Sequence, residues 1–413
     1  VNLALLALAL GGFAIGTTEF VAMGLLPNLA EDLLPGLYAS APADATARAG
    51  MLVSAYALGV VVGAPTIAAL SARFPRKKLL LALLIAFTLG TVASALLPTF
   101  SLVLTARFVA GLPHGAYFGI AALVAAELMG PGKRGQGIAI VLSGLTIANV
   151  IGVPAITFLG QNSGWRVAYL VVAMLFALTF LAVWLVVPFQ PGDPGATMRR
   201  ELKAFSRIQV WLTLAIGAVG FGGFFAVYTY VSPILTDVTG LDASLVPVAL
   251  VLVGLGMTIG NFIGGRVSDW KVMPGLFIFF AFLMASLLGL ALTAHTVVGL
   301  LVCLFLVGAA SSGLSPVIQT RLMEVAEDSQ TLAAAVNHAS LNLGNSLGAY
   351  LGGVVIAAGY GYLAPTWVGL ALCVPAVILV VLSVILAARA HTRSQGGADL
   401  RLQKDAVLDG TLS

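Results

Sequence analysis

The sequence predicts an all-α membrane protein of twelve transmembrane helices in two pseudo-symmetric bundles of six. Three observations lead there. Of the 413 residues, 60% are hydrophobic and 9% charged, at a mean hydropathy of +1.06. A water-facing surface normally needs about 25% charged residues, so most of this surface must meet lipid. The apolar residues fall into twelve runs near the roughly 20 residues that cross a bilayer. Finally, landmarks of the first half recur in the second at a nearly constant offset.

Broken at charged or Gly/Pro-rich joints, the runs lie near residues 3–27, 48–71, 77–97, 100–125, 136–160 and 166–188, then 207–235, 244–268, 273–294, 296–321, 331–356 and 363–388. Their length selects helices over a barrel, whose strands would be short and alternating. The first run is too long for a signal peptide and lacks a basic start, so it reads as a span of the mature chain. Cys303 and Cys373 both fall in apolar runs, which argues against a disulfide or a metal site.

Lysines and arginines set the orientation. One side carries Arg73, Arg76, Lys77, Lys78, Lys133, Arg134, Arg199, Arg200, Lys203, Arg207, Arg266, Lys271, Arg321, Arg389, Arg393, Arg401 and Lys404; the other carries Arg48 and Arg166. Both termini are therefore expected in the cytoplasm of a cell with a multi-pass protein in its membrane, a bacterial inner membrane being the expected one. The same asymmetry explains the net charge of +4 without a nucleic-acid partner. The expected organisation is a bundle at 1–188, a cytoplasmic linker at 189–207, a second bundle at 208–388 and a cytoplasmic tail at 389–413. Within the linker, "MRRELKAF" reads either as a short amphipathic surface helix or as disordered chain. The tail after His391 is expected to be disordered.

Gly59, Gly63 and Gly111 stand 197 positions before Gly256, Gly260 and Gly308, and Asn149 and Gly152 stand 196 before Asn345 and Gly348. Pro27 stands 206 before Pro233, because the first external loop is longer. Duplicated six-helix halves are a transporter signature, with the substrate held between them near mid-membrane.

Four segments carry a resemblance. They are "GTTEFVAMGLLPNLAEDL" in span 1, "SARFPRKKLLL" between spans 2 and 3, "ARFVAGLPHGAYFG" in span 4, and "SGLTIANVIGVPAITFLGQNSGWR" in span 5. In this order they resemble the major facilitator superfamily over nearly the whole chain. Within it the likeness is to 12-span drug:proton antiporters of the arabinose-efflux and chloramphenicol-exporter type. The resemblance implies gating roles for Arg73 and Arg76. Where the family has an acid before the first Arg and a Gly two residues after it, this chain has Ala72 and Pro75. The usual salt bridge is therefore not assigned; Glu127 is an alternative acid, and Asp269 keeps the acid in the second-half copy "GGRVSDW". For Gly144, Gly152 and Pro154 the resemblance implies a seam between the halves. The residues alone fit close helix packing with a bend at Pro154.

Glu19 and Arg107 are the two formal charges deep in the spans. Counted from the outer ends at 1.5 Å per residue, they share a depth of roughly 10 to 12 Å. An intramembrane charge costs several kcal/mol unless paired or wetted, so the two are expected to face one cavity and to influence each other. Glu19 then takes up and releases protons as the halves rock, and the resemblance implies the same coupling. The alternative is a static ion pair that fixes helix packing. His114, seven residues after Arg107, is either a proton relay or a neutral hydrogen-bonding cavity residue. His338, Asn342 and Asn345 form one stripe on span 11; the first two are assigned to the cavity, whereas Asn149 and Asn345 are read as structural.

Glu19 aligns with Phe225 and Arg107 with Leu304, so the second half offers Phe221, Phe224, Phe225 and Tyr228 in place of deep charge. These, with Met23 and Tyr56, form the expected substrate wall, unless the aromatics face lipid. One Arg is too few for a phosphorylated substrate. The expected function is proton-coupled efflux of neutral or amphiphilic small molecules such as antibiotics. The alternatives are sugar or nucleoside efflux and, in another class, a facilitative porter or channel. No phosphate loop, metal cluster or activated nucleophile points to an enzyme. No cofactor is expected beyond the proton as coupling ion, and a monomer is the expected unit.

Overall fold

The computed structural model describes residues 1–71, 74–130, 133–191, 206–326 and 330–408, with backbone alone at 68–71, 134–135, 330–335 and 390–408. Among the described residues, twelve helices are long and apolar enough to cross a membrane. They are α1 (Asn2–Gly24), α2 (Pro42–Ile67), α3 (Arg76–Leu96), α4 (Phe100–Met129), α5 (Gln136–Ser163), α6 (Trp165–Val186), α7 (Ile208–Tyr228), α8 (Ala243–Trp270), α9 (Val272–Thr293), α10 (Val297–Ala326), α11 (Val336–Tyr360) and α12 (Ala364–Arg389). Each lies within a few residues of an expected span.

The packing repeats after six helices. In the first bundle α1 packs on α5 and α6, α2 on α4, and α3 on α4 and α6; in the second α7 packs on α11 and α12, α8 on α10, and α9 on α10 and α12. Two further pairings, α2 with α11 and α5 with α8, join the bundles. The repeat reaches individual carbonyls. A Cβ on Gly59, Gly63 or Gly111 would strike the carbonyls of Phe108, Leu112 and Tyr56; on Gly256, Gly260 or Gly308 it would strike those of Phe305, Ala309 and Val253. Each of these partners also lies 197 positions on from its counterpart. Small residues let helix backbones close on one another where lipid supplies no hydrophobic drive.

Two helices depart from regularity. α4 is interrupted between Gly111 and His114, at Leu112 and Pro113. In α5 the irregularity is a π turn at Ala148–Gly152, just ahead of Pro154 and not at the proline itself. Proline has no N–H for the carbonyl four residues back, so the turn before it widens.

The seam in α5 also differs from expectation. Gly144 faces Ala9 and Phe13 of α1, and Gly152 faces Phe13 and Thr17, so both serve packing inside the first bundle. The close approach across the seam comes from the opposite helix, where Gly254 of α8 lies against the Asn149 carbonyl. Residues 144, 148 and 152 recur every four positions on the face toward α1, while Asn149 lies about 100° further round.

The final helix runs on from Ala364 to Leu408, through the stretch expected to be disordered. Ala, Leu, Gln, Arg and Lys, all strong helix formers, dominate it and outweigh Gly396 and Gly397. The segment "MRRELKAF" and Arg73 lie outside the described residues.

Candidate functional site

Glu19 is 5% exposed and Arg107 1%, the only Glu and Arg buried to this degree among the described residues. Glu19 lies five residues before the end of α1 and Arg107 seven after the start of α4, so their shared depth holds. They are not an ion pair. Among the described residues no salt bridge joins them. Instead Arg107 Nη1 donates to the Thr18 carbonyl at 3.1 Å and lies 3.4 Å from Thr18 Oγ1. Its guanidinium carbon sits 4.4 Å from the Tyr56 ring centre and 5.5 Å from that of Tyr169, a cation–π arrangement. Nε and Nη2 are buried without partners. Arg107 remains close enough to act electrostatically on Glu19, as do Tyr56 and Tyr228.

The carboxylate's hydrogen-bond partner comes from the other bundle: Asn345 Nδ2 of α11 donates to Glu19 Oε1 at 3.4 Å. Sequence reasoning read Asn345 as structural and did not pair it with Glu19. The signal was present in the 338–342–345 stripe, but no pattern within α11 says which member reaches α1.

One layer beside this level is aromatic. Phe20, next to Glu19, stacks on Phe225 at 6.2 Å and contacts Tyr228 at 5.8 Å. Phe224 lies 5.0 Å from Phe225 and 4.9 Å from Tyr228. Phe221 lies 6.5 Å from Phe225. All four second-half rings are buried, so they do not face lipid. Met23 is fully buried as well, and Phe20 of α1 meets the rings. At the residue after Asn345, Ser54 Oγ donates to the Ser346 carbonyl, and near the α5–α6 turn Gln161 Nε2 donates to the Ala243 carbonyl, tying the seam at both places.

The opposite layer holds the histidines, seven residues from Arg107 and from Asn345 and therefore about 10 Å away along the helices. Tyr56 Oη hydrogen-bonds His114 Nδ1 at 3.1 Å, linking the Arg107 level to this one. Across the seam the His114 and His338 rings lie 6.3 Å apart, with Phe118 stacked on His338 at 5.4 Å. Asn342 donates to the His338 carbonyl at 3.0 Å, leaving its own Oδ1 buried and unpartnered.

Nearer the basic end, Arg76 pairs with Glu127, and Lys77 Nζ donates to the Trp184 carbonyl at 2.8 Å. Asp269 is exposed and makes no ion pair among the described residues. No His/Cys/Asp/Glu group able to hold a metal occurs among the described residues, and both cysteines are free.

Two repeated bundles that enclose a buried polar site at one seam define a membrane transporter. Residues 8–329 match the family model for the Major Facilitator Superfamily, and the chain belongs to that superfamily. It is 40% identical over 362 residues to the inner membrane transport protein YdhP of Escherichia coli (strain K12), covering 88% of this chain and 91% of that one. It is 34% identical over 364 residues to the putative transporter AraJ of the same organism, covering 87% and 89%. It is 33% identical over 369 residues to a chloramphenicol resistance protein of Streptomyces lividans, covering 88% and 92%. Among solved structures, a D-xylose-proton symporter superposes with a TM-score of 0.73 at 17% identity, covering 92% of this chain and 97% of that one. This last likeness concerns the fold alone.

Proposed function

We propose that the chain exports neutral or amphiphilic small molecules, antibiotic-like compounds among them, in exchange for protons. One observation carries the reading: a lone carboxylate, Glu19, is buried at the seam of two bundles with a cationic neighbour but no ion pair. A static structural pair would place Arg107 on the carboxylate; here the carboxylate is left able to change its proton occupancy as the seam opens. The buried ring cluster of Phe20, Phe225 and Tyr228 beside it suits varied apolar shapes. The chloramphenicol resistance relative supports efflux as the direction.

In this reading both termini face the cytoplasm of a bacterial inner membrane, following the Lys and Arg distribution. A proton enters from outside to Glu19, the bundles rock, and the proton leaves inside. Substrate moves the other way because it and the proton occupy the site in turn. Each chain supplies both halves of the site, so the working unit is a monomer. Arg76 with Glu127 secures the basic end of the first bundle during the cycle.

The test is transport in proteoliposomes with an imposed pH gradient, using chloramphenicol-type compounds. Glu19→Gln is expected to keep substrate exchange without a gradient and to lose uphill accumulation. Undiminished uphill transport by that variant would overturn the reading.

A further inference from the structure

The repeat places two asparagines at equivalent positions, and the fold uses them differently. Asn149 Nδ2 donates to the Leu145 carbonyl, four residues back in its own helix, at 3.1 Å. Asn345 turns away from its helix and donates to Glu19 Oε1 of the other bundle. Asn345 Oδ1 is buried and has no partner. No second bond therefore holds this amide in one orientation.

An amide presents a donor and an acceptor at the same reach, exchanged by a half-turn of the group. An ionised carboxylate accepts only; a protonated carboxyl also has a hydroxyl to donate. The other groups facing Glu19 do not match both forms in this way. Arg107 of α4 donates only, and the Tyr56 hydroxyl of α2 is engaged by His114. The Tyr228 hydroxyl of α7 is unpartnered and makes no hydrogen bond to Glu19. The next residue on α11 is also tied across the seam, since the Ser346 carbonyl accepts from Ser54 of α2 at 3.1 Å. This turn of α11 thus meets the first bundle at two points, one of which depends on the proton at Glu19.

We propose that Asn345 is a positioning residue for Glu19, donating to its carboxylate and, after a half-turn, accepting from its protonated form, so that Glu19 stays satisfied at the seam in both. This rests on the reading of Glu19 as the proton carrier. The carboxyl then loads and unloads without leaving an unmatched polar group in the membrane interior, and the α11 contact follows its proton occupancy.

The test reads Glu19 directly. A hydrophobic carbodiimide labels protonated carboxyls in apolar surroundings, and mass spectrometry of the purified full chain gives labelling at Glu19 against pH. Asn345→Ala is expected to move the labelling midpoint up by about one pH unit, a tenfold change in proton affinity, because the bond to the charged carboxylate is worth more than the bond to its neutral form by about that much. Asn345→Leu, which keeps the branching at Cγ without the polar atoms, carries the same expectation should the alanine variant not fold. Asn345→Gln retains the amide and is expected to stay nearer the parent. Ser54→Ala breaks the neighbouring bond only and is expected to leave the midpoint unmoved. Superimposed profiles for the parent and the Ala or Leu variant overturn the proposal, as does an equal shift in Ser54→Ala. If Glu19→Gln meanwhile loses uphill transport, the carrier reading stands and only the Asn345 role falls. Retained uphill transport by Glu19→Gln overturns the carrier reading and this proposal with it.

Discussion

Arg107 donates from Nη1 to the carbonyl of Thr18, one residue before Glu19, at 3.1 Å. The guanidinium is thus fastened to the backbone of α1 while its carbon lies over the Tyr56 ring. In the proposed exchange, a charge held beside the carboxylate, not on it, biases proton occupancy without locking it. Lysine keeps the charge but loses the planar fork and the ring contact. Arg107→Lys is expected to reach the membrane folded and to lower gradient-driven export about tenfold, the scale of one charge-assisted hydrogen bond. Initial rates in inverted vesicles check this.

The ring cluster of Phe20, Phe224, Phe225 and Tyr228 predicts selectivity. Phe225 contacts three of the rings around it, more than its neighbours Phe20 or Phe221 do. Phe225→Leu is expected to weaken binding of aromatic substrates by about 0.5–1.5 kcal/mol while sparing aliphatic ones. Equilibrium binding of a paired compound panel measures the difference.

Gly254 predicts a steric limit on the seam. Any Cβ there meets the Asn149 carbonyl of the facing bundle. Gly254→Leu is expected to stop turnover and lower stability by about 1–3 kcal/mol through overpacking. Gly265, on the same helix, has open space at the Cβ position, so Gly265→Ala is expected to be silent. Melting in detergent together with transport rates separates the two sites.

Arg76 and Glu127 predict a rescue. The Glu127 side chain is 49% exposed, so the pair adds no more than about 1 kcal/mol to stability. Arg76→Glu and Glu127→Arg alone are expected to slow transport with melting little changed. The double exchange is expected to recover most of the rate. A double exchange as slow as either single change would remove the pair from the transport cycle.

The twelve spans were legible because a bilayer imposes one length on every crossing, and apolar run length is a local property. The common depth of Glu19 and Arg107 was legible for the same reason, since depth is a count of residues at a fixed rise. The stripe of His338, Asn342 and Asn345 followed from helical period. Which member reaches Glu19 did not, because sites in one stripe differ only in what stands opposite. The close packing read from Gly144 and Gly152 is present, but on α1 and not at the seam that the resemblance implied, since period defines a face but not the helix it meets.

Sequence alone determined how many helices cross, at what depth the two charges lie, and that the halves repeat, since length, rise and offset are all counted along the chain. Tertiary structure decided that Arg107 binds the Thr18 carbonyl, that Asn345 and not Asn149 crosses to the other bundle, and that Phe20 completes the ring layer. Those choices depend on how each helix is turned about its axis, and that rotation is set by packing against helices hundreds of residues away.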